Sequence, residues 1–79
     1  MRWEEEEGAL IARLSFTSYS DAFVFVQKMV KHAEEVQHHP SLCWDYTELQ
    51  ILLTTKDQEN TISQLDRDFA AWIDRVYPI

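Results

Sequence analysis

Two adjacent histidines, His38 and His39, lie between the run Glu34-Glu35-Val36-Gln37 and Pro40. Imidazole changes protonation near neutral pH, so such a pair can both give and take a proton there. Glu34 precedes His38 by four residues. On a helix that spacing shares one face, where a carboxylate orients an imidazole and favours its protonated form. The C-terminal end of a helix dipole acts in the same direction. Pro40 disfavours helical geometry at His39, so the two rings are expected to point differently. One can then do chemistry while the other holds a ligand.

Other readings of the same residues stay open. Both histidines can be helix-terminus residues with no chemistry at all. A metal site is disfavoured: adjacent histidines rarely ligate one ion, His32 lies six residues from His38, and no cysteine pair stands nearby. No metal is therefore expected. Asp66 can also ligate, but its place as the third residue of a helix already explains it. A Ser-His-Asp triad is weaker still, because Ser18 and Ser63 are better used as helix caps.

The elements that must position these residues follow from periodicity. Glu4 to Glu7 reads as a solvated strand and Gly8 as a turn. Leu10, Ala12, Leu14 and Phe16 alternate with Ile11, Arg13, Ser15 and Thr17, the pattern of a half-buried strand. Ser18 with Asp21 forms a capping-box pattern. Phe23, Val26, Val30 and Ala33 follow at helical spacing, which predicts a helix over about 19 to 36 with that stripe inward. Leu42, Trp44 and Tyr46, then Leu49, Ile51 and Leu53, read as two strands joined by a tight turn near Thr47-Glu48. Lys56 to Thr61 is a polar loop. Ser63 with Asp66 repeats the capping box, and Phe69, Trp72, Ile73 and Val76 form the stripe of a second helix that ends before Pro78. The order is ββαββα. Its economical packing is α+β: a four-stranded antiparallel sheet with two helices on one face.

At 79 residues, 46% of them apolar, the chain has room for one domain, residues 1–79, and one core. A chain this short buries only ~60% of its unfolded surface, so a partner subunit is an expected supplement. Cys43 is the one cysteine and cannot close an internal disulfide. Gly8 is the one glycine, which excludes glycine-rich phosphate loops. The longest apolar run, Ala22 to Val26, is far short of the ~20 residues of a membrane span. The acidic start lacks a signal-peptide pattern, and a cytoplasmic location is the expectation. A net charge of −7 argues against nucleic acid and against anionic membranes as partners.

Glu34-x-x-x-His38-His39-Pro40, Tyr46 six positions after Pro40, the alternating Leu49-x-Ile51-x-Leu53-x-Thr55 strand and Asp66 in the last capping box together resemble the pterin-4a-carbinolamine dehydratase family. The resemblance runs from about Phe16 to Val76, with Trp3 also in a familiar place. It implies the same fold, and removal of water from a 4a-hydroxy-tetrahydropterin such as 4a-hydroxytetrahydrobiopterin to give the quinonoid dihydropterin. It implies no metal and no organic cofactor, and an assembly by sheet edges into a homodimer or tetramer. By the same resemblance His38 is the acid/base, His39 binds and positions the pterin, and Glu34 orients the histidine pair. Gln37, Thr54 and Thr55 would line the pocket, with Lys56 and Asp57 at the strand end.

Three features depart from the family pattern. Lys56 stands where the family carries a third histidine or a tryptophan. It reads as a contributor to catalysis, as a contact to the pterin, or as a solvated lysine at a strand end. The loop from Lys56 to Ser63 is also about one residue longer than the family's. The family's acidic N-terminal helix has no counterpart before Trp3 in this sequence. The alternative to an active dehydratase is a pterin-binding or dimeric interaction module of the same fold, weakened or inactive in catalysis.

Overall fold

The computed structural model describes residues 2–78. Along the chain lie β1 (Glu4–Glu6), β2 (Ala9–Ser15), α1 (Tyr19–Val36), β3 (Ser41–Asp45), β4 (Glu48–Leu53) and α2 (Gln64–Val76), with a single 3-10 turn over Lys56–Gln58 before α2. The strands form one sheet in the order β1-β2-β4-β3, and every neighbouring pair is antiparallel. The fold is the α+β arrangement expected from the sequence pattern.

Alternation decides which side of the sheet is covered. Leu10 and Leu14 of β2 and Leu49, Ile51 and Leu53 of β4 point to one face, in a register that sets Leu10 opposite Leu53 and Leu14 opposite Leu49. Phe25, Met29 and Ala33 of α1 and Phe69, Ala70 and Ile73 of α2 close on that face, so one apolar core lies between sheet and helices. Trp3 packs against this core and donates its indole N–H to Asp74 at 3.1 Å, which ties the start of the chain to α2.

The inward stripe of α1 differs from the expected one. Ala22, Phe25, Met29 and Ala33 are buried and Val26 is half-buried, whereas Phe23 and Val30 are 48% and 52% exposed. Both stripes obey helical spacing, and the helix is apolar on more than one side, so periodicity does not choose between them. The β3–β4 turn also falls one residue earlier than expected. β3 ends at Asp45, and Tyr46 adopts a left-handed backbone (φ 55°) with its ring exposed.

Caps explain the helix boundaries. Ser18 Oγ accepts from the Asp21 N–H at 3.0 Å, while the Asp21 carboxylate takes the Thr17 hydroxyl at 2.7 Å instead of completing the box. At the other helix the Ser63–Asp66 box is complete. α1 closes at Gln37, which is left-handed at φ 54°, and both Gln37 and His38 donate their N–H groups to Ala33 O.

Gly8 (φ 78°) makes the β1–β2 turn with Glu7 (φ 49°). A Cβ on Gly8 would collide with the Asn60 carbonyl, because the turn rests against the loop before α2. Gly8→Ala is expected to cost about 2 kcal/mol from left-handed strain and the collision. In a domain of this size that lowers Tm by roughly 8–16 °C, measurable by calorimetry.

Candidate active site

The end of α1 and the end of β4 meet beside the start of α2. Gln37, His38 and His39 leave the helix, Thr54 to Asp57 leave the strand, and all seven line one concavity of about 320 Å³. Leu65 of α2 joins them; nothing in the sequence pattern had singled it out. That volume is at the lower end of small-molecule sites.

Glu34 does not line this concavity. The helix ends at Val36 and the backbone turns left-handed at Gln37, so His38 no longer follows Glu34 on a helical face. Glu34 instead holds His39, with Oε2 2.5 Å from Nε2, and both side chains are more than half exposed. One carboxylate therefore does not orient both rings. The expectation fails because i to i+4 geometry requires helix through His38, and the cap removes it.

The carboxylate that holds His38 is Asp66. His38 is buried, its Nε2 is 2.5 Å from Asp66 Oδ1, and Asp66 is fully buried. Asp66 Oδ2 accepts the Ser63 N–H at 2.9 Å and the Thr55 hydroxyl at 2.7 Å. Thr55 Oγ1 also lies 2.5 Å from Ser63 Oγ. Burial pushes the Asp66 carboxyl up. The Ser63 N–H, the His38 ring and the Thr55 hydroxyl bond to its anion, and the His38 charge attracts it, so the carboxyl stays below its ordinary pKa. From the sequence alone Asp66 has a complete explanation as a cap. Its second role depends on a ring 28 residues away, for which the sequence offers no spacing signal.

The threonine hydroxyls face inward. Thr54 donates to Gly8 O at 2.7 Å, and Thr55 donates to Asp66. Their contribution to the concavity is surface and backbone, with no free hydroxyl proton. Gln37 donates its amide N–H to Glu34 O at 2.7 Å. Lys56 and Asp57 are exposed at the rim, and Lys56 forms no ion pair among the described residues. His32 stacks on Trp72 at 4.0 Å and meets the edge of Phe69, so its ring serves the contact between the helices.

A family model described as pterin 4 alpha carbinolamine dehydratase matches residues 1–76 of the chain. The chain belongs to the pterin-4a-carbinolamine dehydratase family. A relative in Prochlorococcus marinus, bearing that family's name provisionally, is 39% identical over 74 residues, covering 94% of this chain and 76% of its own. One in Synechococcus sp. WH7803 is 38% identical over 72 residues, covering 91% and 76%. Among solved structures, a transcriptional coactivator/pterin dehydratase from Brucella melitensis superposes with a TM-score of 0.87 at 26% identity, over 94% of this chain and 80% of that one. A pterin dehydratase-like protein described as a RuBisCO assembly factor of the alpha-carboxysome shares the fold, with a TM-score of 0.78 at 24% identity over 98% and 88%.

The depressed Asp66 carboxyl makes stability depend on pH. Its folded-state pKa lies below the unfolded value of ~3.9, so the unfolded chain binds the proton more readily as pH falls. The contribution is complete above about pH 5 and disappears as pH drops through the folded value. Asp66→Asn removes the charge, and wild type is expected to exceed it by about 2 kcal/mol at pH 7. In urea titrations between pH 7 and pH 2.5 that gap should narrow on acidification.

Proposed function

We propose that this protein removes water from a 4a-hydroxy-tetrahydropterin, such as 4a-hydroxytetrahydrobiopterin, to give the quinonoid dihydropterin. The observation that carries the reading is the pair of imidazoles at the end of α1, each held by its own carboxylate and both opening on one concavity. The reaction breaks the N5–H and C4a–O bonds of the substrate and forms C4a=N5. One proton leaves the ring nitrogen and one reaches the departing hydroxyl, so no net proton is consumed. General acid/base catalysis by histidine suffices for both transfers. His38, on the buried carboxylate, is the acid/base. His39 binds and positions the pterin, with Gln37 and Thr54 to Asp57 forming the rest of the wall. Such an enzyme recycles the pterin used by aromatic amino-acid hydroxylases.

A second reading rests on Lys56. The resemblance sets a third histidine or a tryptophan there, and an exposed lysine supplies neither an imidazole nor an aromatic ring. On that reading the chain binds a pterin, or joins an assembly, without turnover.

We also propose at least a homodimer, and the two sheet edges are unequal candidates for it. The β1 edge carries Glu4, Glu5 and Glu6, so two copies paired there would bring six carboxylates together. The β3 edge is uncharged from Ser41 to Trp44. Beside it stand Tyr19, Phe23 and Tyr46, each about half or more exposed, with Tyr19 stacked on Trp44 at 4.9 Å and Phe23 on Trp44 at 6.1 Å. An aromatic surface of this kind favours burial against a second copy.

His38→Ala is expected to lower turnover of chemically generated 4a-hydroxy-tetrahydropterin by about 10²–10⁴-fold in stopped-flow assays, while Lys56→Ala changes it little. Full activity of the His38 variant would overturn the assignment. Pterin binding by calorimetry without turnover would instead select the second reading. Sedimentation should give at least twice the 9.4 kDa chain mass, and Phe23→Glu should shift the protein towards the single chain. A wild-type species of 9.4 kDa alone at micromolar concentration would refute the dimer.

A further inference from the structure

Which nitrogen of His38 exchanges protons follows from what Asp66 leaves free. A carboxylate is an acceptor only. With Asp66 Oδ1 2.5 Å from His38 Nε2, that nitrogen must carry a hydrogen. Asp66 cannot turn to offer anything else, because its other oxygen is held by a backbone N–H from Ser63 and a hydroxyl from Thr55, inside a fully buried pocket. The neutral ring therefore keeps its lone pair on Nδ1. No side-chain hydrogen bond engages Nδ1, and among the described residues no buried side-chain nitrogen or oxygen lacks a partner. Nδ1 thus reaches accessible space, although the residue as a whole is only 9% exposed.

We propose that Asp66 is a positioning residue that fixes His38 as the Nε2–H tautomer, so that Nδ1 is the atom through which protons pass to and from the pterin. This rests on the dehydratase reading above. In the elimination, the N5–H proton goes to Nδ1 while its electron pair forms C4a=N5. The C4a–O pair leaves with the hydroxyl, and the proton on Nδ1 converts it to water. Throughout, Nε2–H stays on Asp66 and the carboxylate is not protonated. His39 is arranged alike through Glu34, but in the open, where water competes for both groups.

Asp66→Asn separates this role from the structural one. An amide has one acceptor end and one donor end. The Ser63 N–H can only donate, so the amide oxygen must take its side and the NH₂ must face His38. Nε2 then has to accept, and the proton moves to Nδ1. The shape, the cap and the hydrogen-bond count are retained while the tautomer is reversed.

The experiment is ¹⁵N NMR of the histidine rings at a pH where they are neutral, together with stopped-flow dehydration. In wild type, Nδ1 of His38 should be pyridine-type and Nε2 pyrrole-type. In Asp66→Asn the two should exchange, with kcat at least about a hundredfold lower and KM little changed, the pattern of a wrong tautomer in an intact site. A protonated Nδ1 in the neutral wild-type ring overturns the proposal with no variant needed. So does an exchanged tautomer with full turnover. If wild type gives the expected nitrogen signals but dehydrates nothing, the dehydratase reading falls while the tautomer assignment stands, because the spectrum needs no substrate.

Discussion

One buried carboxylate joins three parts of this fold. Asp66 caps α2 through the Ser63 N–H, receives the hydroxyl of Thr55 at the end of β4, and binds the ring of His38 just beyond α1. A charge removed from water is tolerated only when its lone pairs are satisfied, and here each donor comes from a different segment. That requirement sets the relative placement of the segments more narrowly than apolar packing does, because hydrogen bonds have directions and dispersion does not. The concavity exists because the ends of α1 and β4 are both drawn to the same carboxyl.

The two histidines then differ by environment rather than by type. Both bind a carboxylate through Nε2 at 2.5 Å. The His38 pair is enclosed, so its orientation persists and its electrostatics are strong. The His39 pair is exposed, where an ion pair contributes little and a ring can turn to meet a ligand. On the proposed dehydration, a fixed proton carrier beside an adaptable binding group is the division of labour that an elimination from a bicyclic substrate needs.

The same contrast between covered and open surface runs through the sheet. Glu4, Glu5 and Glu6 line the β1 edge, while β3 is uncharged from Ser41 to Trp44 and stands beside exposed aromatic rings. Charge and apolar exposure thus distinguish the two edges of one small sheet, with carboxylates along β1 and exposed rings beside β3.

Much of this was legible in the residues themselves. Alternation in Leu10 to Leu14 and Leu49 to Leu53, the caps at Ser18 and Ser63, and Pro40 after the histidines determined the elements and their order, since local backbone preferences and period depend on near neighbours alone. Seven of the eight residues that line the concavity, all but Leu65, were marked by local motif and by the family resemblance. Tertiary structure decided the rest. Only packing against the sheet chose Phe25 and Met29 over Phe23 and Val30, because α1 is apolar on more than one side. Only the left-handed turn at Gln37 separated Glu34 from His38, and only the approach of α2 gave Asp66 a partner 28 residues away. Sequence spacing reports neighbours within a turn or two of chain, whereas a buried charge takes its partners from wherever the fold brings donors together.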